Sequence, residues 1–361
     1  MDGEGHQRRL CVLIINAKMK KILTISIAAY NSEKYLAKCL DPLINCSELD
    51  KLEILVINDG STDSTRQIAE VYQEKYPYSV KVINKENGGH GSTINTSIKL
   101  ATGKYYKLVD ADDSVDSEGL DKLVRFLEDT TADLVLNSYV TVNMSGKITK
   151  TISCIKGRIE YGKEYKLVEI QNAINHLMHT ATFRTEIVKQ IGKPITEHCY
   201  YVDNEYVMYP IPYVKTVVAL DYVIYRYLNG TPEQSVNIQN LIKRRDQRLH
   251  IIKKLLGFYH LCDKDTNGYD LINNWLVVLI IGQYVIYFSM KDLGAGKEEA
   301  IQFDNYLKEQ CPDLYSDVLN QEYGKFVLFI RLMRRTNFHG YGFAVNVWNN
   351  IRTMHRSKSE A

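Results

Sequence analysis

The chain has 361 residues, a formal net charge of +2, 45% apolar residues and 24% charged residues. These proportions are ordinary for a soluble globular protein with a sizeable core, and the balanced charge excludes a global field that would draw nucleic acid, so no nucleic-acid partner is expected. The length exceeds one small domain and predicts a large domain plus a second unit.

The apolar stretch 10–15 is too short for a signal core, and residues 1–18 read as an extension or Met19 as the real start. Strand and helix patterns then alternate. Residues 22–28 read as a strand, and 32–43 as a helix with Tyr35, Leu36, Cys39, Leu40 and Leu43 on one face, started by Asn31 or Ser32. Residues 52–57 form a continuous apolar strand, 62–76 a helix, 80–83 a third strand, 92–101 a helix stopped by Gly103, and 105–109 a fourth strand. A helix over 118–128 and a strand over 133–142 follow. Residues 150–230 are less regular and hold many of the 26 tyrosines, whose flat apolar faces and hydroxyls suit sugars, bases and half-buried packing alike.

Beyond residue 231 the pattern turns helical and basic. Lys243, Arg244, Arg245, Arg248, Lys253 and Lys254 stand against Asp246, and the tail from Lys325 carries Arg331, Arg334, Arg335, Arg352, Arg356 and Lys358. The apolar run 275–288 falls short of the roughly 20 residues of a spanning helix and reads as a buried helix. Seven cysteines without close metal-type spacing fit reduced thiols in a cytosolic protein.

Alternating strands and helices predict a mostly parallel sheet, and such sheets bind ligands beyond the carboxyl ends of their strands. The loops at those ends are Ala29-Tyr30-Asn31, Asn58-Asp59-Gly60-Ser61, 85–91 and Asp110-Ala111-Asp112-Asp113. All four are polar and small. Three carboxylates in four residues repel one another unless a cation sits among them, and Mg²⁺ or Mn²⁺ takes one or two carboxylates together with phosphate oxygens. The same acids suit a solvated turn; their place after a buried strand favours the ligand. Asp59 is positioned to accept a hydrogen bond from a base N–H, which would favour uracil, while Asp63 or Ser64 caps the next helix. Asn87-Gly88-Gly89-His90-Gly91 precedes a helix, so its glycines would admit a ligand and the helix start would favour phosphate. His90 suits phosphate contact or a structural role. Asp203 lies among tyrosines; partial desolvation there would raise its proton affinity and suit a general base, and a structural carboxylate fits equally.

These blocks, with Ser26-Ile27-Ala28-Ala29-Tyr30-Asn31, Gly103-Lys104-Tyr105-Tyr106 and Val202-Asp203-Asn204-Glu205, resemble family 2 glycosyltransferases of the GT-A fold over about residues 21–142 and again near Asp203. The resemblance implies an α/β fold: a mostly parallel, Rossmann-like sheet sandwiched by helices, followed by a smaller helical region. It divides the chain into an extension (1–20), a transferase domain (21–235, with a nucleotide-sugar half 21–115 and an acceptor half 116–235) and a basic helical region (236–361). It implies an inverting, Mn²⁺- or Mg²⁺-dependent transfer from a nucleotide-diphospho-sugar, a UDP-sugar by the Asp59 argument, to a glycan or lipid-linked acceptor. Capsular, exopolysaccharide or cell-wall synthesis in a bacterium is the expected setting.

On the matching positions, Ala29, Tyr30, Glu33, Asp59, Lys85, Asn87, Gly89, Asn95, Asp110 and Ala111 would hold the donor. Asp110 and Asp112 would hold the metal, and Asp203 would be the base. His90, Asn204, Glu205, Arg226 and Ser235 would face the acceptor or form the loop that closes over the donor, a segment running from Tyr225 to Val236. Departures are Ala29 for the usual proline, Asn58 for an acid, Ile94 for an arginine before Asn95, and Val202 for a glutamate; Lys85 or the Gly-rich loop would then supply phosphate contacts. The basic tail resembles family members working at a membrane face, which suggests a cytoplasmic protein peripheral to the inner membrane surface. The sequence leaves the oligomeric state open. A sugar nucleotidyltransferase is the alternative enzyme, but the first loop lacks the glycine and arginine it would need. A non-catalytic membrane-surface protein on a decayed fold is the other, against which Asp59, Asp110, Asp112 and Asp203 are intact.

Overall fold

A computed structural model describes residues 20–230, 234–320 and 324–347. The expected extension and the tail cations Arg352, Arg356 and Lys358 lie outside these residues. By contact the chain divides into two compact units, Met1–Thr231 with Thr266–Gly268, and Pro232–Asp265 with Tyr269–Ala361.

The first unit is built on one ten-stranded sheet. The strands are β1 (Leu23–Ala29), β2 (Leu52–Asp59), β3 (Val80–Lys85), β4 (Tyr105–Asp110), β5 (Ser114–Val115), β6 (Leu134–Val142), β7 (Ile148–Ile152), β8 (Glu164–Lys166), β9 (Ala181–Arg184) and β10 (Thr216–Leu228). The main order is β3-β2-β1-β4-β9-β6-β10-β5, with β7 added to β6 and β8 to β10. β1 pairs parallel with β2 and β4, β2 with β3, and β6 with β10. The expected parallel sheet is therefore crossed by short reversed strands. β9 runs antiparallel between β4 and β6, so the six longer strands β1, β2, β3, β4, β6 and β10 still share one direction. A single sheet thus runs through both halves expected of the domain.

Burial explains the strand compositions. β2 is buried at every position, Glu53 included, as parallel strands covered on both faces must be. Glu53 is tolerated because Lys81, Thr24 and Thr102 all donate to its carboxylate. Helices α1 (Leu36–Ile44), α2 (Thr65–Lys75) and α4 (Ser117–Asp129) cover one face. Their Leu36, Leu40, Ala69, Leu120 and Leu123 close a core with Leu23, Ile25, Ile27, Ile54 and Val56. Helix α3 (His90–Leu100) packs on β1 and β2, presenting the buried Ile94. The short helices α5 (Leu167–Ile170), α6 (Thr185–Lys189) and α7 (Asp203–Met208) occupy the irregular stretch.

The second unit is helical: α8 (Ile238–Lys243), α9 (Arg245–Tyr259), α10 (Tyr269–Tyr287), α11 (Leu293–Gln310), α12 (Pro312–Asn320) and α13 (Gly324–Arg335). Helix α10 starts before the apolar run seen in the sequence and reaches 19 residues, long and apolar enough by composition to span a membrane, with 56% of its apolar window buried. Several of the cations expected on a basic face turn inward. Arg245 grips Glu299 with Nε and Nη2, Arg248 donates to Gln283 and the Leu279 carbonyl, Arg331 to the Leu319 carbonyl, and Arg334 to Asp304 and the Tyr315 carbonyl.

Candidate active site

The carboxyl ends of β1 to β4 bring four loops together, as the chain order requires. Ala29 is fully buried and offers only its backbone, whereas Tyr30 is 52% exposed at the mouth. The first two loops are laced to each other. Asn31 Oδ1 accepts from Thr62 N (2.9 Å), and Glu33 Oε2 accepts from Ser64 N (3.0 Å). Asp63 accepts from Glu33 N and, at the start of α2, from Thr65 N. Glu33, expected at the nucleotide, therefore joins Asp63 in satisfying the open N–H groups of α2.

Asp59 is tied to the Gly-rich loop. Its carboxylate, 2% exposed, accepts from Lys85 Nζ (2.8 Å), Gly88 N (3.0 Å), Gly89 N (2.8 Å) and Ser92 Oγ (3.2 Å). Three of these contacts fall on Oδ1, whereas Oδ2 takes only Gly89 N, so one oxygen keeps room for a further donor. Lys85 is committed: its three protons go to Asp59, the Glu86 carbonyl and Ser92 Oγ. Asn87 Nδ2 donates to the Asp59 carbonyl. The anion at the start of α3 is thus Asp59, held by Lys85.

The glycines serve the same internal packing. A Cβ on Gly91 would lie 1.9 Å from the Thr196 carbonyl oxygen, and one on Gly89 3.1 Å from His198 N. They admit segment 195–198. Asn95 completes that junction: its amide exchanges two hydrogen bonds with the Ile195 backbone (both 2.9 Å) and donates to Glu197. Gly91→Ala is expected to lower stability by about 1–3 kcal/mol through overpacking, seen as a fall in melting temperature.

The acid cluster forms as expected. Asp110, Asp112 and Asp113 each present an oxygen within 4.8 Å of the others. Asp113 is buried and fixed by Tyr225 Oη (2.6 Å) and Leu228 N (2.6 Å) from β10. Asp110 ends β4, its backbone N–H donating to Tyr225 Oη (3.1 Å), and Asp112 is exposed at the turn. Burial, then the neighbouring Asp112 and Asp203, pushes Asp110 up to about 8, and burial raises Asp112 and Asp113 as well. A cluster so reluctant to carry its own charge fits a hard divalent cation, with Asp110 and Asp112 as the available carboxylates. His90 Nε2 lies 3.5 Å from Asp110 Oδ1, is shut off from solvent and meets no hydrogen-bond partner. Burial holds this imidazole below its usual range, against the pull of Asp203, Asp112 and Asp59.

Asp203 opens α7, and its charge is felt at both Asp110 and His90. Asn204 steers it, donating to Asp203 Oδ1 (3.2 Å) and to the Tyr201 carbonyl (2.9 Å). Glu205 turns the other way. It is fully buried and accepts from Thr196 N, Thr196 Oγ1 and Tyr209 Oη, so it anchors segment 195–198 and does not face an acceptor. Tyr225-Arg226-Tyr227, expected in a closing loop, belongs to β10; Arg226 reaches the Gly146 carbonyl (3.3 Å). Ser235 falls in the second unit, and residues 231–233 of that segment lie outside the described ones.

Sequence reading missed the layer beneath the acids. Lys107 of β4 is completely buried and donates to Asn137 Oδ1 (3.1 Å) and to the His179 (3.1 Å) and Ala181 (3.2 Å) carbonyls. The His179 ring is stacked on Tyr139 and meets Tyr225 and Tyr227 edge-on. The one available signal was a lysine inside an otherwise apolar strand. Burial lowers Lys107 to about 7. The unfolded chain then binds one proton more than the folded chain between about pH 7 and 10.4, so this group makes stability rise with pH across that window. Lys107→Met should flatten the slope of unfolding free energy between pH 7.5 and 9.5 by up to about 1.4 kcal/mol per pH unit, as read by denaturant titrations.

Residues 24–192 match the model of glycosyl transferase family 2. The poly(ribitol-phosphate) beta-glucosyltransferase of Bacillus spizizenii is 36% identical over 126 residues, 34% of this chain and 20% of that protein. Glycosyltransferase GlyA of Streptococcus pneumoniae is 32% identical over 123 residues, 34% of this chain and 17% of that protein. The chain thus spans about a fifth or less of these curated relatives. Among solved structures, S. aureus TarS 1–349 in complex with UDP-GlcNAc superposes with a TM-score of 0.61 at 21% identity, over 91% of this chain and 92% of that one. The likeness carries the GT-A fold and extends through the helical region. With the fold, the acid cluster after β4 and the family match in agreement, residues 24–192 of this chain are a glycosyl transferase family 2 domain.

Proposed function

We propose that the protein transfers a sugar from a nucleotide-diphospho-sugar, a UDP-sugar in the first instance, to a hydroxyl of a glycan or polyol polymer, with inversion and with Mn²⁺ or Mg²⁺. The observation that carries this reading is the meeting of the Asp110–Asp112–Asp113 cluster with Asp203 and His90 beyond the carboxyl ends of the strands. Asp110 and Asp112 would hold the cation, which when bound neutralises charge developing on the leaving diphosphate. Asp203 accepts the proton of the acceptor hydroxyl. The hydroxyl oxygen bonds to the anomeric carbon from the face opposite the diphosphate, the carbon–oxygen bond to the diphosphate breaks, and the nucleoside diphosphate departs. Asn204 aims the base, while Asp59, Lys85 and Asn95 keep the loop that carries His90 in place. Tyr30 is the exposed ring available to the base of the nucleotide.

The names of the curated relatives support a polymeric acceptor of the bacterial surface, because one acts on poly(ribitol phosphate). This reading places the protein in the cytoplasm, with membrane contact left to those basic residues of the second unit that are not drawn inward. Incubation with a panel of UDP-, GDP- and TDP-sugars and candidate polymers tests it, with the anomeric configuration of the product read by proton NMR. Sugar transfer with inverted configuration is expected. Retained configuration, or release of free sugar 1-phosphate, would contradict it.

A further inference from the structure

One polar atom beside the acid cluster stands idle. His90 opens α3, and its Nε2 is shut off from solvent, meets no hydrogen-bond partner and lies 3.5 Å from Asp110 Oδ1. That separation exceeds a normal hydrogen bond. A buried polar atom without a partner is costly, and one that persists calls for a reason. The backbone around the ring is nonetheless fixed. Gly88 N and Gly89 N donate to Asp59, and Gly89 adopts a left-handed φ of +79°. On the other side, Gly91 packs against the Thr196 carbonyl, and Asn95 ties the same helix to the Ile195 backbone. The loop is held firmly while the nitrogen it turns towards the acids is unused.

Ligand atoms that share one small divalent ion at about 2.1 Å lie roughly 3 Å apart. A separation of 3.5 Å between Nε2 and Oδ1 therefore suits two ligands of one cation after a small adjustment. Asp112 is close enough for its charge to act on the ring, and it is exposed at its turn, so its side chain can rotate towards the same ion. Asp113 is instead tied to Tyr225 Oη and Leu228 N.

We propose that His90 Nε2 is a ligand of the cation, beside Asp110 and Asp112, and that it biases the site towards Mn²⁺ over Mg²⁺; this rests on the metal-dependent reading above. A shell of carboxylates and water alone suits both ions. Mg²⁺ favours oxygen ligands and keeps several waters, whereas an imidazole nitrogen is a softer donor that suits transition ions. The bound ion would supply the partner that the nitrogen lacks. The rigid loop would present that nitrogen without reordering on binding.

The test is pulsed EPR of Mn²⁺ bound to the full chain, with and without UDP, on protein carrying ordinary or ¹⁵N-labelled histidine. A nitrogen coupling to Mn²⁺ is expected that changes with the label and vanishes in His90→Ala and His90→Gln. The glutamine variant keeps a polar side chain and guards against loss of the fold in the alanine one. Calorimetric titrations of the same proteins should show the wild type binding Mn²⁺ more tightly than Mg²⁺. Either variant should lose at least about tenfold in Mn²⁺ affinity, with Mg²⁺ affinity changed less. Bound Mn²⁺ without nitrogen coupling, a coupling that survives in both variants, an unchanged preference between the two ions, or no bound Mn²⁺ would overturn the assignment. If Mn²⁺ and UDP bind without the coupling, the His90 assignment alone fails. If Mn²⁺ binds with the coupling and no nucleotide binds, the transferase reading fails and the ligand assignment stands.

Discussion

Asp203→Asn is expected to reduce sugar transfer by about 10²–10⁴-fold, the contribution of a positioned general base, while Mn²⁺-dependent nucleotide binding persists. The carboxamide keeps the shape of the side chain and the start of α7, so the fold has no reason to change. It cannot take up the acceptor proton. Single-turnover kinetics with saturating donor separate the two effects: the chemical step should slow and the donor dissociation constant should not rise. Near-normal turnover would place the base elsewhere.

Asp112→Ala should abolish detectable transfer by a different route. Loss of one of two available carboxylates removes several kcal/mol of charge stabilisation at the diphosphate, roughly 10²–10³-fold or more in rate, and should also erase the Mn²⁺ dependence of nucleotide binding. Asp112 is exposed at its turn, so the variant should melt like the wild type. Asp113→Ala is the informative contrast. Asp113 is buried and satisfies Tyr225 Oη and Leu228 N, so its loss strands two donors and should lower the melting temperature. Calorimetry of UDP binding with and without Mn²⁺ distinguishes ligand from scaffold; unchanged metal dependence in Asp112→Ala would remove it from the metal site.

The periodic signals in the sequence translated well. The strand expected at 52–57 is β2 at Leu52–Asp59, and the helix expected at 118–128 is α4 at Ser117–Asp129. In both, burial on fixed faces dictates the pattern residue by residue. The acid cluster was legible because three carboxylates directly after a buried strand have few structural uses. Other features depend on partners distant in sequence. The donors around Asp59, from Lys85, Gly88, Gly89 and Ser92, lie 26 to 33 residues on and leave no local trace in the sequence. That Gly89 and Gly91 also make room for segment 195–198 depends on residues about a hundred positions away. Glu205 sits two residues from Asp203 on a short helix and so points away from it, into Thr196 and Tyr209. The reversed strand β9 has four residues, too few for a period, and its insertion between β4 and β6 is decided by long-range pairing.

On the proposed function, the loops beyond β1 to β4 form a metal-dependent nucleotide site. Melting the protein with UDP, GDP and TDP, each with and without Mn²⁺, tests it most directly, because a ligand bound only to the folded chain raises the melting temperature by mass action. A rise is expected with one nucleoside diphosphate, UDP first, that requires Mn²⁺ and disappears in Asp112→Ala. No rise with any nucleotide, or a rise indifferent to both Mn²⁺ and Asp112, would contradict it.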